Sequence, residues 1–436
     1  MIKRSALFSS SAALALVLAN STVGPLYAQG AEEYIVQFES GTSPAARRVA
    51  AANAGAAIRV VYIGVSAAAL RVPNQQALAA LQRNPVVLSI VPNRPVFAYQ
   101  HSDAITGNPN KGAAGGAQQS QVIPAGVVRV GVPTASSNGS GIGVAVLDTG
   151  IDLTHPDLAV SSGGFSAFGA SCQDGHGHGT HVAGTVAARD NGGDVVGIAP
   201  AAQLYCVKVL DNGGSGSDAS LMAGLDWVLT NHNSVVPAIK VINMSLGRAG
   251  TVNDNTAMRD LILALDGAGI SVVAAAGNDP LADVSEQIPA AYPEVIAVAS
   301  TTARMGSNQC RFLAGAIAAD TASHFTTDGN GVTVSAPGEE QEDVNRSCFI
   351  KSIGILSTKL GGGTTRMSGT SMASPHVAGV AARYYQQNPA LAPSEVKFWI
   401  AQHAGRHGVA PLDSPTSSYS FDGVREGIAQ GPPHAE

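Results

Sequence analysis

Charged and aromatic residues are scarce in this sequence. Of its 436 residues, 13% are charged and 5% are aromatic, and the formal net charge is −6. Proteins that bind nucleic acid attract its phosphates with clustered Lys and Arg, which this composition does not supply. Beyond the N-terminal segment, no run reaches the roughly 18 uninterrupted apolar residues that a spanning helix requires. We therefore expect no nucleic-acid partner and no membrane span, and we take the protein to be a monomer.

Apolar residues and glycine are abundant instead. Hydrophobic residues make up 45% of the chain, and 50 residues are glycine. Such a chain can bury a sizeable core and is unlike a disordered sequence. Its glycines permit tight turns and close approaches between backbones. The length predicts two or three domains.

The N-terminal segment has the pattern of a secretory signal peptide. Lys3 and Arg4 form a basic start, residues 12–19 form a short apolar run, and Ala28 offers a cleavage site. This apolar run is too short to span a membrane. We predict a signal peptide over 1–28 and a secreted protein, extracellular or periplasmic.

Export also makes disulfide bonds possible. The chain contains four cysteines, Cys172, Cys206, Cys310 and Cys348. Four cysteines allow three pairings, and their spacing alone does not choose among them.

Residues 33–98 have the pattern β-α-β-β-α-β. One predicted helix, over 43–55, carries Pro44 in its first turn and ends at Gly55. The order predicts a small α+β domain of the ferredoxin-like type, over 29–100. Residues 101–121 lack periodicity and are rich in Gly, Asn and Gln, which indicates an exposed linker.

From residue 122 onward, apolar β-rich runs alternate with helical patterns. In the helical pattern over 256–266, Met258, Leu261, Ile262 and Leu265 share one face. This alternation predicts an α/β domain with a doubly wound parallel sheet over 122–405, followed by a tail over 406–436. Strands over 142–147, 204–210, 239–244, 270–275 and 295–300 are apolar throughout, as expected where both faces of a sheet are buried. Ligands of such sheets bind beyond the carboxyl ends of the strands.

Three segments offer catalytic side chains at such positions. Asp148 follows an apolar strand in "VLDTGID", His178 lies in "HGTHVAGT", and Ser371 lies in "GTSMASPHVAGV". Alone, each residue would be an ordinary turn or helix-end residue. Together they supply a nucleophile, a base and a carboxylate that orients the base.

These three segments, in this order, resemble the catalytic signatures of the subtilisin-like serine proteases. The resemblance covers about 122–405. It implies that Asp148 orients His178, that His178 transfers protons, and that Ser371 attacks the substrate through an acyl-enzyme, with no cofactor for catalysis. It also implies that Asn278, in "AAGNDP", donates a hydrogen bond to the oxyanion.

The same resemblance implies polypeptide substrates bound as an extended strand. Gly214, Ser215 and Gly216 would line one side of that strand, and Ser245, Leu246 and Gly247 the other. Residues 212–217 would also suit a flexible surface loop. Gln287 aligns near a position of the pocket that holds the substrate side chain before the cut bond.

Further expectations come from the resemblance alone. Residues 29–100 would be an inhibitory propeptide whose tail, 96–102, lies in the cleft, with self-cleavage within 98–121. The cysteines would pair as Cys172–Cys206 and Cys310–Cys348. Asp157 and Asn191 match a structural calcium site, although a solvated turn explains them equally well.

Two other classes of function compete with the protease. The histidines His176, His178 and His181 could hold zinc, but their spacing differs from the i, i+4 pattern of helical zinc ligands. The chain could also be a binding protein on this fold without activity, which the intact set of Asp, His and Ser argues against.

Overall fold

The computed structural model describes residues 31–100, 120–131, 137–405, 415–416, 422 and 426–433. The predicted signal peptide and nearly all of the predicted linker lie outside the described residues. Two units follow each other along the chain, one at 32–98 and one from 122 onward. None of the helices in the described ranges has the length and apolar character needed to cross a bilayer.

The first unit has the predicted element order. Its central sheet is antiparallel, in the strand order β2-β3-β1-β4, and its helices pack on one face through Val36, Phe38, Leu70 and Leu81. Ser43 and Asn74 cap the two helices by accepting hydrogen bonds from backbone N–H groups. The elements are β1 (Glu32–Phe38), α1 (Pro44–Asn53), β2 (Ala57–Val61), β3 (Ala67–Val72), α2 (Gln75–Gln82), β4 (Val87–Pro92) and β5 (Pro95–Ala98).

The second unit contains the α/β domain. Its elements are α3 (Ala125–Arg129), β6 (Gly143–Asp148), β7 (Phe165–Ser166), α4 (His178–Ala187), β8 (Gln203–Lys208), β9 (Ser215–Ser217), α5 (Asp218–Asn231), β10 (Ile239–Met244), β11 (Leu246–Ala249), α6 (Thr256–Gly267), β12 (Ser271–Ala275), a short 3-10 helix (Val284–Glu286), β13 (Gln287–Ile288), β14 (Ile296–Thr302), β15 (Ser307–Asn308), β16 (Val334–Glu339), β17 (Gln341–Val344), β18 (Ile350–Ile353), β19 (Ile355–Thr358), β20 (Thr364–Met367), α7 (Thr370–Gln387) and α8 (Pro393–His403).

Seven parallel strands form the main sheet, in the order β16-β14-β12-β10-β6-β8-β7. Side chains of β6 alternate between two apolar layers. Val144 and Val146 pack towards α4 and α7, whereas Ala145 and Leu147 pack towards α5 and α6. Helices therefore cover both faces, which confirms the predicted doubly wound α/β fold.

The strand order also fixes where a site can form. From β6 the chain moves to β8 on one side and then to β10 on the other. A crevice opens at such a reversal, beyond the carboxyl ends of the strands. Asp148 ends β6, Ser245 follows β10, and Asn278 lies shortly after β12, so these polar residues share one edge.

Part of the predicted C-terminal tail packs on the domain. Ile428 forms bridges with Ser335 in β16 and with Gly405, and Gly431 donates a hydrogen bond to the Val130 carbonyl. Residues 426–431 thus extend the edge of the sheet beyond β16.

Candidate active site

Asp148 and His178 form a fully buried polar pair at the carboxyl edge. Both side chains are 0% exposed, and His178 Nδ1 lies 2.8 Å and 3.0 Å from the two Asp148 oxygens. The Thr149 N–H also donates to Asp148 Oδ1, at 2.7 Å. The carboxylate therefore fixes which ring nitrogen of His178 carries hydrogen, and leaves Nε2 as the proton acceptor.

Asp174 holds His178 in place from the start of α4. Its carboxylate accepts hydrogen bonds from the N–H groups of Gly177 and Thr180 and from the Thr180 hydroxyl, at 3.0, 3.0 and 2.6 Å. A carboxylate that caps the first turn stabilises the helix terminus. The sequence analysis missed Asp174, although an Asp shortly before a predicted helix is a recognised capping signal.

Ser371 lies in the first turn of α7, on the other side of the crevice. Its hydroxyl donates to the Ser245 carbonyl at 2.8 Å, and the Ser245 hydroxyl donates to the Ser371 carbonyl at 2.8 Å. His178 Nε2 is buried and accepts no hydrogen bond from any described residue. The nucleophile and the base are therefore not hydrogen-bonded to each other in this conformation.

Asn278 lies beside the start of α7, and only its amide nitrogen is unpaired within the described ranges. Its Oδ1 accepts hydrogen bonds from the N–H and hydroxyl of Thr370, at 2.9 Å and 2.8 Å. Its Nδ2 is buried and has no partner among the described residues. Thr370 thus orients the amide so that a donor is left free beside Ser371, as an oxyanion site requires.

Two edge strands enclose an extended segment of the first unit. β5 lies between β9 and β11 and pairs antiparallel with both. Gly216 and Ser215 pair with Val96 and Phe97 on one side. The predicted substrate-binding residues therefore border one cleft, and the start of the predicted tail 96–102 lies in it.

The pairing continues towards Ser371. Leu246 and Gly247 pair with Ala98 and Phe97 on the β11 side. At the end of β5, the Ala98 N–H donates to the Gly214 carbonyl at 3.0 Å, and just beyond it the Tyr99 N–H donates to the Ser245 carbonyl at 3.3 Å. Ser245 thus contacts both the bound segment and the candidate nucleophile.

The three clustered histidines have separate surroundings. His181 Nε2 lies 2.9 Å from the Ile355 carbonyl, and burial lowers the pKa of His181 to about 3. His176 is exposed, and a Cβ added to Gly214 would lie 3.3 Å from its Nε2, so it borders the cleft. Because His178 Nδ1 contacts Asp148, the rings do not converge on one point as zinc ligands would.

The candidate calcium residues are brought together with one that the sequence analysis missed. Asp157 Oδ2 accepts from the Val195 N–H at 3.1 Å, while its Oδ1 is buried without a partner among the described residues. Asn191 Oδ1 and Asp157 Oδ1 approach the same point, since they would lie 2.6 Å and 3.0 Å from a Cβ added to Gly193. Burial raises the Asp157 pKa. Gln121 Nε2 contacts the carbonyls of Arg189 and Val195, at 2.6 Å and 3.1 Å.

Both disulfide bonds are those that the resemblance implied. Cys172 is bonded to Cys206, and Cys310 to Cys348. The first joins the segment before His178 to β8, and the second closes the segment that contains β17.

A family model and several known proteins match this chain. The model described as "Subtilase family" matches residues 139–422. Subtilisin E of Bacillus subtilis (strain 168) is 33% identical over 378 residues, which cover 84% of this chain and 83% of that protein. Subtilisin Savinase of Lederbergia lenta is 37% identical over 296 residues, covering 67% and 95%.

Solved structures agree on the fold. Fervidolysin from Fervidobacterium pennivorans superposes with a TM-score of 0.66 at 22% identity, over 92% of this chain and 60% of that chain. A cold adapted subtilisin-like serine proteinase gives 0.53 at 28% identity, over 72% and 100%. Fold and relatives together define a serine endopeptidase of the subtilisin type. The chain belongs to the subtilase family.

A buried acidic pair lies next to the segment that leads into α7, the helix that carries Ser371. Glu339 and Glu342 are both fully buried, and His324 Nδ1 lies 2.9 Å from Glu342. Ser352 links Glu339 to Ser368, which precedes the α7 N-terminus.

Burial and the neighbouring Glu342 charge raise the pKa of Glu339 well above its usual value. Burial opposes ionisation of Glu342 as well, but its hydrogen bonds, His324 first, give a net lowering of its pKa. The pair therefore holds a proton on Glu339.

We predict that Glu339→Gln stabilises the protein increasingly as pH rises. Folded Glu339 keeps its proton above the unfolded pKa, so wild-type stability falls with pH by about 1.4 kcal/mol per unit until the folded pKa is passed. Glutamine has no proton to lose. The melting temperature of the variant minus that of the wild type should therefore grow between pH 5 and pH 8.

The matched control is Glu286→Gln, at an exposed glutamate. The difference in melting temperature between Glu286→Gln and wild type should stay constant between pH 5 and pH 8. A difference for Glu339→Gln that is also independent of pH would contradict a proton held on Glu339.

Proposed function

We propose that this protein is a secreted serine endopeptidase, made as a zymogen that processes itself, with Asp148, His178 and Ser371 as its catalytic residues. One observation carries the proposal. The Ser245 carbonyl accepts hydrogen bonds from the Ser371 hydroxyl, at 2.8 Å, and from the Tyr99 N–H of the bound segment, at 3.3 Å. Because both groups bond the same carbonyl oxygen, Ser371 lies next to a peptide segment that is bound as a substrate would be.

Proton transfer would begin with a rotation of the Ser371 side chain. The hydroxyl would turn from the Ser245 carbonyl towards His178 Nε2, which accepts its proton while Oγ bonds to the substrate carbonyl carbon. Asp148 stabilises the imidazolium that forms. The negative charge develops on the carbonyl oxygen, where Asn278 Nδ2 and the Ser371 N–H can donate.

The acyl-enzyme forms when the carbon–nitrogen bond breaks. His178 returns its proton to the leaving nitrogen, and the amine product departs. A water molecule then gives a proton to His178 as its oxygen attacks the ester, and Ser371 recovers its hydrogen. The cycle consumes one water and needs no other reactant.

The strand register selects one bond for self-processing. Because the Tyr99 N–H bonds the same carbonyl as Ser371, the Tyr99 carbonyl is the group presented to the nucleophile. Within the expected range 98–121, this favours cleavage between Tyr99 and Gln100.

Contacts beyond the cleft support an inhibitory role for residues 31–99. The Asp226 carboxylate on α5 accepts the N–H groups of Ile63 and Gly64, with distances from 2.6 to 3.0 Å. Gln37 donates to Asp260 on α6 at 2.6 Å. These contacts would keep β5 in the cleft after the bond is cut, so that the segment blocks substrates until it is removed.

Calcium would stabilise the loop at Asp157. An unpaired buried carboxylate oxygen, an amide side chain and nearby backbone carbonyls are the hard oxygen ligands that calcium prefers. Asp157 and Asn191 would bind it, and Gln121 would contribute its carbonyl oxygen after a rotation of its amide group. Calcium would supply positive charge there and takes no part in the reaction.

We predict that the full-length wild type processes itself and that Ser371→Ala does not. The mature wild-type protein should begin at Gln100, as read by N-terminal sequencing and intact mass. Ser371→Ala should accumulate as the chain that still contains residues 31–99, because the attacking hydroxyl is missing.

Ser285→Ala provides the control, because it makes the same substitution at an exposed serine. That variant should still process. Cleavage of the Ser371→Ala variant, in the absence of any other protease, would refute the self-processing mechanism.

We predict that calcium raises the melting temperature in the Ser371→Ala background, where self-digestion is removed. At 100 times its dissociation constant, a ligand adds about 2.7 kcal/mol, which corresponds to roughly 3–5 °C in a protein of this size. Asp157→Asn should abolish the shift. Asp190→Asn, an exposed acid in the same loop, should retain it. If calcium leaves the melting temperature of the Ser371→Ala protein unchanged, the assignment of a calcium site at Asp157 is refuted.

A further inference from the structure

We propose that the cleft selects tyrosine at the position before the cut bond, and that Gln287 recognises its phenol hydroxyl. This inference rests on the proposed function, because it names the substrate that the same site prefers. The Tyr99 hydroxyl donates to Gln287 Oε1 at 2.9 Å. The bound segment thus shows the contact that a substrate tyrosine would make.

The pocket around this contact is closely fitted. Gln287 is 8% exposed. A Cβ added to Gly247 would lie 2.5 Å from the Tyr99 hydroxyl oxygen and 2.8 Å from Cε2, so the ring passes over that glycine. A ring in this position extends from the Ser245 carbonyl, where its backbone is bound, to Gln287 at the far end.

The strand that binds the peptide backbone also fixes Gln287. Ala249 in β11 pairs with Gln287 in β13, while Leu246 and Gly247 of β11 pair with the bound segment. The Gln287 carbonyl accepts the Ala291 N–H at 2.7 Å. One strand therefore positions the backbones of both partners, the bound segment and Gln287.

Hydrogen-bond chemistry then favours tyrosine over phenylalanine. Burial raises the pKa of Tyr99, so its hydroxyl stays protonated and remains a donor. Phenylalanine would fill the same volume but leave Gln287 Oε1 without that donor. A site built to bond a hydroxyl discriminates against the analogue that lacks it. The preferred side chain is therefore an aromatic hydrogen-bond donor.

The test compares two peptides with the mature enzyme. Succinyl-Val-Phe-Ala-Tyr-p-nitroanilide and its Phe counterpart reproduce the bound sequence and differ in one hydroxyl. One neutral hydrogen bond predicts a kcat/KM for tyrosine about 3 to 12 times that for phenylalanine. Gln287→Met, of similar length but without the acceptor, should reduce the ratio to 1 or below.

Two further variants make the result specific. Gln287→Glu keeps an acceptor and should retain the preference for tyrosine. Gln387→Met makes the same change at an exposed site on α7 and should leave the ratio unaltered. The inference is overturned if wild type cleaves the two peptides at equal rates, or if Gln287→Met leaves the ratio unchanged. In either case, hydrolysis of the peptides would still support the proposed protease function. Absence of any hydrolysis that depends on Ser371 would instead refute the proposed function.

Discussion

The carbonyl oxygen of Ser245 connects the bound peptide to the candidate nucleophile. It accepts the Tyr99 N–H and the Ser371 hydroxyl, and the Ser245 hydroxyl in turn donates to the Ser371 carbonyl. These bonds join the end of β10, the start of α7 and the segment after β5. A shift of any of the three elements by one residue would break them, so the register of the cleft and the position of the serine depend on each other.

The sheet explains why so many polar groups can be buried there. Asp148, His178 and Ser371 are all 0% exposed, which would be costly without partners. Parallel strands that end at one edge bring these groups together, and helix termini supply backbone donors beside them. Among the buried side-chain atoms of the described residues that lack a hydrogen-bond partner are His178 Nε2 and Asn278 Nδ2. They are the acceptor and the donor that the proposed reaction uses.

Much of the fold could be predicted from local patterns. Some elements are buried along a whole strand or along one helix face, as over 142–147 and 256–266. Their apolar pattern alone therefore predicts them. Residues 301–366 show no such pattern, because strands like β16 combine glycine, proline and polar residues and are buried through their neighbours. The position of Asp174 shortly before α4 is a local capping signal. Gln121 differs, since it has no signal in the sequence because its partners, Arg189 and Val195, lie far away along the chain. The direction of the Ser371 hydroxyl is likewise set by Ser245 and has no signal in the sequence.

The most direct test of the account is the chemical reactivity of Ser371 in the mature protein. A fluorophosphonate should add one adduct per molecule, and peptide mapping by mass spectrometry should locate it on Ser371. His178→Ala cannot process itself, so residues 31–99 are removed from it by an added protease, which is inactivated before labelling. The trimmed variant should still show suppressed labelling, because the hydroxyl has no base to take its proton. Absence of an adduct on the wild type, or an adduct on another residue, would contradict the assignment of Ser371 as the nucleophile.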